Sequence, residues 1–328
     1  MRIIIFLTLV LLSCAPSVAT PADDAFQAGK EFHKHGNWKD AIASFTKAIA
    51  LNPNDSTLYH WRGLSCLFQS GMEDPKLGNR GTSYLQDLQQ AVADFSKVIQ
   101  VEPKNAQAYS ERGDCYDKLD QLENAIADYN KAIQIDPGNC NAYQGRARVY
   151  RKKKQYSQAL SDCDKALQLI GGQDDPHHLQ FAWLHIDRAV IYEDQGKFKE
   201  AIKDYDNAIA IIEAAKNMTP VLPGFYALRA EAFRKDKQYE KAIDDCAKAA
   251  GFAPYPFPDS TLVTRGLSYG ALGKDQKALD SYTQAIKRSS DFAQAYYERA
   301  KVYRRLGKDD LASKDLETSR RLGYTETK

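Results

Sequence analysis

The phrases YSERGDCY (109–116) and AIADYNKAIQIDP (125–137) recur, in that order, along the whole chain. Copies of the first are YHWRGLSC (59–66), YQGRARVY (143–150), HIDRAVIY (185–192), YALRAEAF (226–233), LVTRGLSY (262–269) and YYERAKVY (296–303). The leading alanine of the second falls at 41, 91, 125, 159, 201, 242, 278 and 312, in steps of 50, 34, 34, 42, 41, 36 and 34. A period of 34 broken only by insertions marks a repeat array, in which each element buries its apolar face against its neighbours.

Ala125, Ile126, Tyr129, Ala132 and Ile133 follow i, i+1, i+4, i+7, i+8 spacing, which is one face of an α-helix. Tyr109, Gly113 and Tyr116 likewise share a stripe. A polar turn separates the two phrases and a proline closes the second, so each period predicts a helical hairpin. Gly113, Ala125 and Ala132 are small where the two helices must approach most closely, with the tyrosines filling the space beside them.

In its period, and in its order of aromatic, small, aromatic, Ala, aromatic, Ala and Pro, the chain resembles the tetratricopeptide repeat family. The resemblance covers eight repeats over residues 22–328 and implies an all-α, right-handed solenoid of antiparallel hairpins. Pro53, Pro103, Pro137 and Pro254 occupy the family's proline place, and four repeats lack it. Seven repeats carry arginine where the family usually has leucine, and the last has Leu316 and Ser319 for an aromatic and an alanine.

Those arginines are Arg62, Arg112, Arg146, Arg188, Arg229, Arg265 and Arg299; six aspartates recur three places after the leading alanine, Asp94, Asp128, Asp162, Asp204, Asp245 and Asp315. Pairing within a repeat leaves only Arg265 opposite Ser281 unmatched, since Ala28 faces Ser44 where both charges are missing together. Pairing with the preceding repeat leaves Arg62 and Arg299 facing serines and Asp315 alone. The first scheme is expected, with each pair fixing helix register as part of the scaffold.

Charged residues make up 27% of the chain and the formal net charge is +2, a near-neutral balance that argues against a nucleic-acid partner. Cys66, Cys163 and Cys246 stand where other repeats place aromatics and read as core residues. The imidazoles of HKH (33–35) fall on different helix faces, and DDPHH (174–178) reads as a polar linker. No nucleophile elbow, phosphate loop, metal-spaced Cys pair or dinucleotide fingerprint occurs, so neither an enzyme nor a cofactor is expected.

Function is therefore expected on surfaces. The resemblance implies that first helices line a groove receiving a partner peptide or helix, here through His60, Leu64, Leu67, Asp114, Asp117, Arg148, Arg151, Trp183, Ile186, Val190, Glu231 and Arg234. The family's carboxylate clamp of lysines and asparagines is absent from these places. Trp183, Ile186 and Val190 form an apolar stripe in the fifth repeat, expected to be exposed for a protein partner or, alternatively, to form an apolar pocket for a small ligand. Along the same edge acidic and basic repeats alternate, and only Lys301, Arg304 and Arg305 are expected to lack an acidic neighbour.

Insertions at 70–88, with Leu77, Tyr84, Leu85 and Leu88 as anchors, and lengthened connections at 170–179 and 214–223 add non-repeated surface. Ser319, in the place of a buried small residue, is expected to let the last helix cap the array as a monomer. At the other end, Arg2 followed by the apolar run Ile3–Leu12 reads as an export signal. Two outcomes stay open: LLSC (11–14) resembles a lipoprotein box that would lipidate Cys14, leaving 1–13 as signal, and SVA (17–19) would release a mature chain at Thr20. Either places the protein outside the cytoplasm, periplasmic or anchored through Cys14, with no other membrane contact.

Overall fold

The computed structural model describes residues 20–72, 82–170, 178–215, 219–252 and 256–324. The export segment with Cys14, Leu77 and the centres of the 170–179 and 214–223 connections lie outside them. Among the described residues there are sixteen α-helices and no strand. They divide into two compact modules, one ending at Ala142 and one beginning at Tyr143.

The N-terminal module holds α1 (Pro21–Lys34), α2 (Trp38–Leu51), α3 (Ser56–Met72), α4 (Thr82–Val101), α5 (Ala106–Lys118) and α6 (Leu122–Ile135). After α7 (Cys140–Lys152), whose first turn contains the division, come α8 (Tyr156–Ile170), α9 (His178–Asp194), α10 (Phe198–Ala214), α11 (Leu222–Lys235) and α12 (Tyr239–Gly251). The chain continues through α13 (Ser260–Ala271), α14 (Asp275–Arg288), α15 (Ala293–Arg305) and α16 (Asp309–Arg321). Helices pair in chain order as hairpins, α1 with α2, α3 with α4, α5 with α6, and α9 with α10 through α15 with α16. Ala147, Ala159 and Cys163 pack α7 on α8.

Local sequence sets the helix limits. Thr20 caps α1: its Oγ1 accepts from the Asp23 amide at 3.2 Å while the Asp23 carboxylate accepts from the Thr20 amide at 2.8 Å, and Pro21 opens the first turn, where its missing N–H costs nothing. Seven residues after the small residue of every first helix except α3 the backbone turns left-handed, at Gly36 (φ 75°), Gly196 (71°), Gly273 (69°) and Gly307 (68°) among them. Asp120 (59°), Lys154 (57°) and Lys237 (62°) adopt the same geometry without being glycine, so hairpin closure overrides residue preference there.

The closest approach lies where the small residues predict it. A Cβ built on Gly113 would stand 2.8 Å from the Tyr129 ring, one on Gly29 2.6 Å from Phe45, and one on Gly266 2.5 Å from Tyr282. Where the facing residue is Cys163 or Cys246, alanine (Ala147, Ala230) replaces the glycine. At these contacts volume is conserved, as dense packing demands, with Ala189 opposite Tyr205 the exception.

Beside each contact lies the arginine, and all six expected pairs form within their own repeat. Arg112 Nε and Nη2 donate to Asp128 at 2.7 and 2.8 Å, and Arg146 to Asp162 at 2.7 and 2.7 Å. Arg62 joins Asp94, Arg188 joins Asp204, Arg229 joins Asp245 and Arg299 joins Asp315 in the same two-pronged way. Nη1 adds a third bond, to the preceding second helix: Arg62 to Thr46, Arg112 to Ser96, Arg188 to Asp164, Arg229 to Asp206 and Arg299 to Thr283. Aromatic rings flank the guanidinium, Tyr109 and Tyr116 at 5.6 and 5.8 Å from that of Arg112. Each of these five nodes therefore ties three helices together.

The insertion at 70–88 is in part an extension of α4, whose Tyr84 and Leu88 are buried as expected, whereas Leu85 is exposed and anchors nothing. Ser319 occupies the place of a buried small residue, as its repeat position predicts. It is buried, and its Oγ donates to the Ala293 carbonyl at 2.9 Å, closing α16 onto α15.

Candidate functional site

First helices present the residues expected to meet a partner, and most of their charges are already engaged. In the N-terminal module His60 Nε2 lies 2.7 Å from the Glu111 carboxylate. Burial alone would lower the His60 pKa, but Glu111 and the nearby Glu102 charge outweigh it and raise it. Asp114 accepts from the Tyr129 hydroxyl at 2.7 Å; Asp117 is half-buried; Leu64 and Leu67 pack against the core around Cys66 and Phe95.

In the C-terminal module Arg151 reaches Asp194 at 2.7 Å and Arg148 reaches Asp187 at 3.9 Å. Lys235 bonds Glu193 at 2.7 Å, and Glu193 also accepts from the Tyr205 hydroxyl. Neighbouring repeats thus neutralise one another along this edge. The expectation for Lys301 and Arg305 is corrected: Lys301 meets Glu298 of its own helix at 3.0 Å, and Arg305 bonds Asp275 at the start of α14. A long side chain reaches past Gly270 and Ala271 to the next acid.

The fifth-repeat stripe needs a second correction. Ile186 is buried in a core that includes Leu222 and Phe225, because the start of α11 folds over it. Val190 packs against the same core, and only Trp183 stays exposed, at 41%, edge-on to Phe225 with centroids 5.0 Å apart. The start of α11 supplies that cover, which repeat position alone does not reveal.

A cavity of about 330 Å³ opens instead between α11, α13 and α15. Leu228, Val263 and Leu267 give it apolar walls, and Glu231, Arg234, Thr261, Thr264 and Gln294 give it polar ones. Arg234 grips Glu231 with two bonds, at 2.9 and 2.5 Å, and Thr264 Oγ1 donates to Glu231 at 2.9 Å. Against the upward push of burial, Arg234 and Thr264 hold the Glu231 carboxyl below its ordinary pKa. Thr261, 2% exposed, has a hydroxyl with no partner among the described residues. An unsatisfied buried hydroxyl is costly, and this one lies beneath the cavity wall. Sequence reasoning found Glu231 and Arg234 but missed Thr261, Thr264 and Gln294; threonines spaced i, i+3 on an otherwise apolar face were the available signal.

Burial disfavours the thiolate form of the cysteines. Burial pushes the Cys66 and Cys246 thiols up to about 12 and that of Cys140 up to about 11. Among the described residues no group of three or more His, Cys, Asp or Glu could hold a metal, and no helix is long and apolar enough to cross a membrane.

Models described as tetratricopeptide repeat match residues 106–139 and 139–214, and one described as TPR repeat matches 29–67 and 266–307, together more than half of the chain. The chain belongs to the tetratricopeptide repeat family. A curated relative, a 58 kDa phosphoprotein of Plasmodium berghei, is 33% identical over 93 residues, 28% of this chain and 21% of that protein. The matched segment is thus about a fifth of that relative's length. Among solved structures, the APC/C hetero-tetramer Cut9–Hcn1 superposes with a TM-score of 0.58 at 17% identity, over 92% of this chain and 53% of that one. Yeast Tom70 gives 0.56 at 19%, over 97% and 63%. A tetratricopeptide repeat protein from Parabacteroides merdae gives 0.55 at 18%, over 89% and 98%. These likenesses concern the fold, which in tetratricopeptide repeat proteins is generally a scaffold for protein–protein interaction.

Proposed function

We propose that this tetratricopeptide repeat protein is a non-catalytic adaptor of the cell envelope that holds a protein partner, as an extended peptide or a helix, in the groove of first helices. The observation that carries this reading is the cavity between α11, α13 and α15, with Glu231, Arg234, Thr264 and Gln294 set among apolar walls. A peptide supplies what such a lining accepts: a backbone amide or carbonyl for the polar side chains and an apolar side chain for Leu228, Val263 and Leu267. Since the charges around it are mutually paired, selectivity rests on shape and hydrogen bonds.

Residues 20–328 used as bait on envelope extract are expected to capture one protein stoichiometrically, and Leu267→Arg, with unchanged circular dichroism, is expected to release it. Capture that survives Leu267→Arg removes the cavity from the reading. A small molecule co-purifying without protein favours the carrier alternative, now sited among α11, α13 and α15 instead of the fifth repeat. The envelope assignment rests on Arg2 and the Ile3–Leu12 run. Mass spectrometry of protein from native cells is expected to find diacylated Cys14 or a start at Thr20; an intact Met1 overturns both.

A further inference from the structure

Six of the seven repeated arginines are closed by an aspartate, and Arg265 is not. Its Nε donates to Ser281 Oγ at 3.2 Å, a hydroxyl whose own proton goes to the Lys277 carbonyl, and its Nη2 donates to Gln284 at 2.7 Å. Nη1 has no acceptor among the described residues. Where other repeats place Thr46, Ser96, Asp164, Asp206 or Thr283, this one has Ala247 behind it. The ring three residues before is missing as well, replaced by Leu262. Both departures remove acceptors from one guanidinium and leave it half-buried with its charge unneutralised.

The space vacated by the carboxylate is real. A cavity of about 220 Å³ lies at this point, lined by Arg265, Tyr269, Lys277, Asp280, Ser281 and Gln284. That volume holds a carboxylate-bearing group together with several waters, at about 30 Å³ per water. Lys277 Nζ sits over the Tyr269 ring at 5.7 Å, adding a second cation to the rim. Asp280, also on the rim, is exposed and accepts from Gln276 at 3.0 Å.

We propose that the cavity beside Arg265 is a binding site for one carboxylate group, contributed by a small acid or by an acidic side chain of a partner, which completes the node as aspartate does in the other six. The fork of Nε and Nη2 has the geometry that grips a carboxylate at the six closed nodes, and Ser281 and Gln284 are neutral acceptors that an anion can displace. The site lies apart from the groove cavity and does not depend on it.

The test uses the full chain labelled with ¹⁵N-arginine, followed by NMR of the arginine Nε–H signals. Sodium acetate, at ionic strength held constant with chloride, is expected to shift the Arg265 signal saturably while the six closed arginines stay still. In Ser281→Asp the built-in carboxylate competes, and acetate affinity is expected to fall about ten-fold or more, the scale of one charge-assisted hydrogen bond. Lys277→Gln, on an exposed residue, is expected to weaken acetate several-fold and keeps the test open if Ser281→Asp does not fold. Acetylated Ala-Asp-Ala amide binding as tightly as acetate points to a partner's side chain; acetate binding alone points to a small free acid. No saturable shift, an equal response to chloride, saturation by phosphate but not acetate, or unchanged affinity in both variants overturns the proposal.

Discussion

Arg229 and Arg265 occupy the same place in adjacent repeats and live in different surroundings. Arg229 spends its donors on two carboxylates, Asp245 at 2.6 and 2.8 Å and Asp206 at 2.7 Å, with Tyr226 and Phe233 on either side at 5.3 and 5.6 Å. Arg265 has one serine, one glutamine and an open nitrogen. The residue repeated in the sequence does not carry the role by itself. Its acceptors decide whether it is structure or unspent binding capacity.

That contrast is most directly broken by Asp245→Ala. The substitution leaves the Arg229 guanidinium facing only the exposed Asp206, and is expected to lower unfolding free energy by about 3–5 kcal/mol, read by urea denaturation. A loss below about 1 kcal/mol would place Arg229 in the same class as Arg265. Next in size, a double-mutant cycle on Arg146 and Asp162 is expected to give a coupling of about 1–3 kcal/mol, since either change alone already breaks both 2.7 Å bonds. Additive losses would refute the pairing.

A pH titration sharpens the comparison further. Burial would raise the Asp204 carboxyl, yet the His185 Nδ1–H at 2.8 Å and the bonds from Arg188 prevail and hold it below the ordinary aspartate range. A folded pKa below the unfolded one means that this contribution is fully present above about pH 4 and is lost as pH falls through the lowered value. Asp204→Asn is expected to flatten that acid limb of the stability curve. Ser281→Ala should have the smallest effect, under about 1 kcal/mol, because it removes one 3.2 Å bond from a node that lacks its ion and one bond to the Lys277 carbonyl of its own helix.

Much of this was legible in the chain itself. The period gave the hairpins, and the joint absence of charge at Ala28 and Ser44 chose pairing within a repeat. The third member of each node escaped notice because it changes chemistry, from Thr46 to Ser96 to Asp164, while keeping one place. Ile186 was misjudged for a related reason: its repeat position is a groove position, but the next first helix brings Phe225 where others place the smaller Ala108, Ala142 or Ala295. The cavity with Thr261 arises where three helices meet, and no single period contains it.

The glycine and alanine positions carry a further consequence, for folding fidelity. Similar hairpins strung on one chain invite a first helix to settle on the wrong second helix, since motif residues are shared by all. The size pairing works against that error. A helix bearing Ala147 laid on Tyr129 would force a methyl group into the ring, and one bearing Gly113 laid on Cys163 would leave a hole. Ala189 opposite Tyr205 departs from the rule, so the fifth hairpin is the one least protected by it. Where a glycine–ring hairpin adjoins an alanine–thiol one, as Gly113–Tyr129 adjoins Ala147–Cys163, the size pairing tells the two apart and each first helix has reason to wait for its own partner.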